Sequence, residues 1–264
     1  QRMSMAHGTD SKRMPMIGEH DMKHVLVAAA SSELASEVIP KLLDGEYRIG
    51  LHYSSNKKAV EPYEEYEQVK FIQCTIAGES DCARIVDEYV EWAGSIDSIV
   101  IFLGNISCTC HWEEIEKEHL VDEYLFNAVY PFMLAKYAQR YMKEKGAGRI
   151  LFVSTASVRR GGGSTTIGYG MAKAALECAV KRMARDLAPN GILVNAVAPG
   201  FFDTQFNRKR KGLTEEDVAE RVAMIPLKRG GKKEEIASTV LYMLSEGAGF
   251  ITGQIITVDG GDFL

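Results

Sequence analysis

The sequence predicts a single α/β domain, a doubly wound parallel sheet with helices on both of its faces. Three observations predict it. Short apolar runs of strand length alternate with stretches of helical period through residues 23–264. Several of those runs are continuous rather than alternating, as in strands buried on both faces. No internal repeat or linker divides the chain, and 264 residues suffice for one sizeable core. In such a sheet the connections are right-handed βαβ units, and ligands bind outside the carboxyl ends of the strands.

Residues 24–30, His-Val-Leu-Val-Ala-Ala-Ala, read as a buried first strand. Ser31 and Ser32 offer N-cap oxygens to a helix that runs to about Leu43, is kinked by Pro40 and is ended by Asp44-Gly45. Residues 47–53 form a second strand. A short helix exposing Glu64 and Glu65 leads to a third, residues 69–74. Over residues 81–92, Cys82, Ile85, Val86 and Tyr89 share one helix face, and Gly94 stops the helix. Residues 96–103 form a strongly apolar fourth strand.

A long helix follows over residues 113–143, bent near Pro131. Residues 149–154 form the next strand, and a loop with Gly161-Gly-Gly163 leads to a helix over residues 168–187. There Met171, Ala174, Ala175, Cys178, Ala179 and Met183 recur at spacings of three and four. Residues 192–198 form a strand closed by Pro199-Gly200. A polar, basic segment, two short helices and a final strand over residues 254–258 complete the pattern. The segment over residues 203–227 reads as a lid. Residues 1–22 are polar, Met-rich and aperiodic, and read as a disordered tail. The loops after the first, fourth, fifth and sixth strands should share one crevice.

Composition narrows the classes of function. A net charge of −5 gives no general attraction to nucleic acid or to an anionic membrane. No apolar run reaches the roughly 18 residues of a membrane span. Five scattered cysteines, an odd number, read as free thiols in a reducing compartment, the cytoplasm. Cys108-Thr-Cys110-His111 lacks the four ligands of a metal site, and its thiols read as lining a substrate pocket.

Tyr169-Gly-Met-Ala-Lys173 carries the chemistry. Tyr and Lys at i, i+4 lie one above the other on a helix face. An ammonium beside a phenol favours the phenolate, which makes Tyr169 a proton donor to a carbonyl or a base toward an alcohol.

With Tyr169-x-x-x-Lys173 in place, the chain resembles the short-chain dehydrogenase/reductase family over residues 23–263, and within it the 3-oxoacyl-carrier-protein-reductase-like members. Residues 148–155, Gly-Arg-Ile-Leu-Phe-Val-Ser-Thr, look like the strand that ends in the family's catalytic hydroxyl. Residues 195–200, Asn-Ala-Val-Ala-Pro-Gly, with Thr204, resemble the segment near the nicotinamide. Asn127 falls at the family's helix Asn. Arg229-Gly230, Glu235-Ile-Ala, Ile251-Thr-Gly-Gln and Val258-Asp-Gly-Gly261 match its C-terminal pattern. The resemblance implies a Rossmann-like fold, a carbonyl–alcohol oxidoreductase with a nicotinamide cofactor, and a homodimer or homotetramer. It implies Asn127, Thr155, Tyr169 and Lys173 as catalytic residues, with Ser154 and Ser157 as alternatives to Thr155.

The first half departs from the family. The T-G-x-x-x-G-x-G turn here reads Ala28-Ala-Ala-Ser-Ser-Glu-Leu-Ala35, with every glycine replaced and the Glu33 carboxylate beside the expected pyrophosphate. Gly104 ends Ile101-Phe-Leu-Gly in place of N-N-A-G, and Thr75 replaces an Asp. Cofactor contacts are expected from Ala29, Ser31, Leu34, Ser54, Ser55, Gly104, Lys173, Pro199, Gly200 and Thr204. No acidic residue follows the second strand, where Ser54, Ser55, Asn56 and Lys57 stand ready for a 2′-phosphate. NADP(H) is therefore expected ahead of NAD(H). The departures leave open a non-redox member of the fold that has lost the dinucleotide. Arg159-Arg160 and residues 208–211, Arg-Lys-Arg-Lys, suggest an anionic or carrier-linked acyl substrate.

Overall fold

The structure is a computed structural model and describes residues 22–202, 204 and 214–264. The expected tail falls outside the described residues except for Met22. Seven parallel strands form one sheet in the order β3-β2-β1-β4-β5-β6-β7. They are β1 (Lys23–Ala28), β2 (Tyr47–Tyr53), β3 (Val69–Gln73), β4 (Ser98–Ile101), β5 (Gly148–Val153), β6 (Ile192–Pro199) and β7 (Ile255–Val258). The chain order reverses between β1 and β4, the switch point at which such sheets open a crevice.

Two apolar layers close the sheet. On one face, α2 (Glu79–Ala93), α4 (Tyr130–Lys145) and α5 (Ile167–Leu187) pack Tyr89, Leu134 and Leu176 against Leu26, Ile99 and Ile150. On the other, α1 (Ala35–Leu43) and α7 (Lys233–Leu244) pack Ile39 and Val240 against Val25, Val100 and Val197. The interiors of β1, β4, β5 and β6 are buried from both sides, as their apolar runs require, while β3 and β7 at the sheet edges are mostly half-buried. At the amino edge of the sheet the Arg48 guanidinium lies 4.8 Å over the Trp92 ring.

Two expectations about local structure, the start of the first helix and the extent of the long one, are corrected. The first helix begins at Ala35 rather than at Ser31, because the chain first makes a turn. Ser32 still serves it, its Oγ accepting from the Ala35 N–H at 3.1 Å. Pro40 sits inside α1 without ending it, its ring exposed to solvent. The expected long helix over residues 113–143 starts later, as α3 (Lys117–Tyr124). It passes through one π turn (Leu125–Val129) into α4. Pro131 has no N–H to give the Asn127 carbonyl four residues earlier, and the wider turn absorbs that mismatch. The final helices before β7 are α6 (Glu215–Met224) and α7.

Candidate active site

The loops after β1, β4, β5 and β6 meet over the carboxyl edge and line one crevice of about 870 Å³. Ala29, Ser31, Ser32, Glu33, Leu34 and Ser36 form one end of it. Gly104, Thr155, Tyr169 and Lys173 line its middle, and Pro199, Gly200 and Thr204 cover it from β6.

Lys173 and Tyr169 occupy the opening turns of α5. Lys173 is 2% exposed, and its Nζ donates to the carbonyls of Leu103 (3.0 Å) and Val153 (2.9 Å), tying the ends of β4 and β5 together. Burial pulls its ammonium down to about 7, while Glu177 and Glu123 pull it back up. Nζ lies 5.8 Å from the centroid of the Tyr169 ring. Burial, then the Glu123 carboxylate, push the Tyr169 phenol above its ordinary value. In this geometry the Lys173 ammonium donates to two carbonyls rather than to the Tyr169 hydroxyl.

The three candidate hydroxyls separate. Ser154 is buried and its Oγ donates to Glu177 Oε1 at 2.6 Å. Thr155 is half-buried on the crevice wall. Its Oγ1 lies 3.1 Å from Ser157 Oγ and accepts from the Ser157 N–H. Asn127 is fully buried in the π turn. Its Oδ1 accepts from the Asn105 N–H (3.0 Å), and its Nδ2 donates to the Asn105 carbonyl (2.7 Å) and to Glu123.

The replaced turn shows where a glycine is missing. Ala29 holds φ +60°, left-handed backbone that L-residues avoid. Its N–H donates to His52 Nδ1 at 3.2 Å, while His52 Nε2 bonds the Cys74 carbonyl at 2.9 Å. This pairing fixes a neutral ring, and burial lowers its pKa. Glu33 lines the crevice on the same loop as Ser31 and Ser32, with Ser36 beside them at the start of α1. After β2, Asn56 reaches the wall. Ser54 is turned to Thr75 Oγ1 at 2.7 Å, Lys57 is paired with Glu64, and Ser55 is exposed; none of the three lines the crevice.

The crevice suits a dinucleotide. It runs without a break from the serine-bearing turn at α1 to the Tyr169 wall. Its middle is kept open at Gly104, where a Cβ would lie 3.2 Å from Asn127 Oδ1 and 3.4 Å from Lys173 Nζ.

At the mouth, Arg160 lines the crevice with its guanidinium 4.9 Å over the Phe263 ring, whereas Arg159 is exposed outside it. Arg221, on α6, also lines it and is paired with Asp262. The basic residues 208–211 and most of the expected lid before α6 lie outside the described residues. Cys108 and Cys110 are not among the lining residues, which corrects the expectation that they face a pocket. Their loop lies against residues near α5, with the Cys110 N–H on the Thr165 carbonyl at 3.1 Å. The hydrogen bond to Cys110, then burial, pushes the Cys108 thiol up to about 11. Trp112 on the same loop is 58% exposed, its ring 5.6 Å from His111. All five cysteines are free.

Sequence reasoning missed Glu123, Glu177, His52 and Phe263. Glu123 stands one turn before Asn127, a spacing that puts both on one helix face. The others become neighbours of the site only through tertiary packing.

This sheet and this crevice are those of a Rossmann-like α/β fold. A family model described as enoyl-(acyl carrier protein) reductase matches residues 28–262. The chain belongs to this family of short-chain dehydrogenases/reductases and is an oxidoreductase of that class. An uncharacterized oxidoreductase of Thermotoga maritima is 32% identical over 249 residues, covering 90% of this chain and 96% of that protein. A 3-oxoacyl-[acyl-carrier-protein] reductase of Staphylococcus aureus is 29% identical over 249 residues, covering 92% and 98%. The solved structure of a Serratia marcescens short-chain dehydrogenase/reductase superposes with a TM-score of 0.83 at 27% identity, covering 92% of this chain and 98% of that one. The family implies a nicotinamide dinucleotide. Among the described residues no helix is long and apolar enough to cross a membrane.

Proposed function

We propose that the protein is an NADP(H)-dependent reductase that converts a carbonyl to an alcohol on an anionic or carrier-linked acyl substrate. The observation that carries this reading is the convergence of Thr155, Tyr169 and Lys173 on the wall that Gly104, Pro199, Gly200 and Thr204 complete. When bound, the nicotinamide supplies hydride to the carbonyl carbon. Tyr169 gives its proton to the carbonyl oxygen. At neutral pH the phenol carries the proton it gives in the reducing direction, and the phenolate left behind takes one back in the reverse direction. Thr155 donates to the same oxygen as charge develops there, because the Ser154 hydroxyl is already committed to Glu177. Lys173 holds the nicotinamide ribose, and Asn127 fixes the loop after β4 that forms the facing wall.

The diphosphate is assigned to the turn of Ala29, Ser31 and Leu34. The absence of an acid after β2 and the placement of Asn56 support NADP(H). Arg160 at the mouth supports an anionic substrate, and the name of the Staphylococcus aureus relative supports an acyl chain on a carrier. Free thiols support a cytoplasmic setting. The exposed Val121 and Tyr124 on α3 and Met171 on α5 support pairing of copies into a homodimer or homotetramer.

The test is a titration with NADPH and NADH, followed by nicotinamide fluorescence and melting temperature, on wild type and Tyr169→Phe. NADPH should bind both proteins more tightly than NADH does. Tyr169→Phe should lose about 10²-fold or more of the reductase turnover. Failure of both cofactors to bind at millimolar concentration would overturn the reading.

A further inference from the structure

Glu123 is a buried carboxylate, 2% exposed, that the reading above leaves unused. It lies on α3, and its Oε1 accepts from the Ser107 N–H (2.6 Å) and the Ser107 hydroxyl (3.1 Å). Its Oε2 accepts from Asn127 Nδ2 at 2.7 Å. Asn127 in turn brackets both backbone groups of Asn105. Two side chains one helical turn apart thus clip residues 105–107 to the helix. That loop presents Gly104 and Ile106 to the crevice.

Room for the carboxylate comes from α5. A Cβ at Gly168 would lie 3.3 Å from Glu123 Cγ and 3.2 Å from Leu120 Cδ2, so the residue preceding Tyr169 must be small for α3 to carry an acid here. A buried ionised carboxylate is disfavoured unless hydrogen-bonded and paired with charge. The hydrogen bonds are those just named. The charge it faces is on α5, where it acts on both Tyr169 and Lys173. Glu177 acts on Lys173 from the next turn of α5, Cys108 faces Glu123 from the loop side, and His119 precedes it by one turn on α3.

We propose that Glu123 is a positioning residue for proton transfer: it fixes Asn127 and the loop after β4, and its negative charge holds the buried Lys173 side chain in the ammonium form beside Tyr169. The inference rests on the reading of Tyr169 and Lys173 as the proton-transfer pair. Burial draws Lys173 down to about 7, and Glu123 raises it beside Glu177, the larger of the two contributions. A downward shift of about one unit would leave only about a tenth of it charged at neutral pH.

The test compares Glu123→Gln and Glu123→Asp in the full chain. Lysine labelled at Cε gives the Lys173 titration by carbon NMR, with its signal assigned by loss in Lys173→Met. Glu123→Gln should lower the midpoint by about one pH unit. Glu123→Asp, which keeps the charge, should stay near the wild-type midpoint. The pH profile of kcat should move to lower pH in Glu123→Gln alone, with KM for NADPH little changed. An unmoved midpoint in Glu123→Gln, or equal shifts in both variants, overturns the proposal. The NMR midpoint needs no turnover. A shift as expected in a protein that reduces no carbonyl would sink the reductase reading and leave the role of Glu123 standing.

Discussion

At Ala29 the replaced glycine turn has a measurable cost. A left-handed alanine carries about 1–2 kcal/mol of strain, and glycine returns part of it as entropy lost on folding. Ala29→Gly should therefore stabilise the protein by a few tenths to about 1 kcal/mol, read as a higher urea midpoint at unchanged m. Unchanged or lower stability would mean that the entropy glycine loses on folding outweighs the strain it relieves. At this scale the sequence was legible where spacing carries meaning. Tyr169 and Lys173 are a helical i, i+4 pair, and both reach the crevice. It was illegible where contact is made across the fold. Glu123 meets Ser107, and Ser154 meets Glu177, through packing that no local pattern announces.

Among the elements, β2 and α2 approach most closely at Gly50. A Cβ there would come within 2.8 Å of Tyr89 Cε2, and Tyr89 is itself anchored by donating its hydroxyl to the Arg48 carbonyl at 2.8 Å. Gly50→Ala should cost about 1–3 kcal/mol by overpacking, visible in chemical denaturation, without changing which cofactor binds. A neutral result would show that α2 can slide on the sheet. The strands were legible because continuous apolar runs of five to eight residues leave little choice of structure. The helix ends were less so. The start of α1 at Ala35 and the π turn before Pro131 depend on a backbone turn and a missing N–H, and residue types alone signal both weakly.

For the molecule as a whole, pH acts through groups whose charged form burial disfavours. Lys173 is lowered from 10.5 to about 7, so between those values the unfolded chain binds more protons than the folded one. The Lys173 contribution to stability then rises with pH across that window, while the raised thiols of Cys82 and Cys108 act in the opposite sense in its upper part. His52, lowered below 6.5, makes stability fall as pH drops through that value. Maximum stability is expected on the alkaline side of neutral. In Lys173→Met, denaturation curves across pH should show the rise above pH 7 flattened and the fall below 6.5 retained. The parallel sheet, the two apolar layers and the shared crevice at this scale followed from alternation of element types, whereas the strand order became legible only in the structure.

The chain's two tryptophans stand at opposite edges of the sheet. Trp92 sits at the amino edge under Arg48, and Trp112 stands half in water on the loop beyond the residues that Glu123 clips. Indole emission from this protein is therefore a sum of two signals, a red-shifted one from the site loop and a packed one from the scaffold. Replacing Trp92 would leave an optical probe whose colour follows the loop alone, and whose quenching by a reduced nicotinamide would report how near the two come.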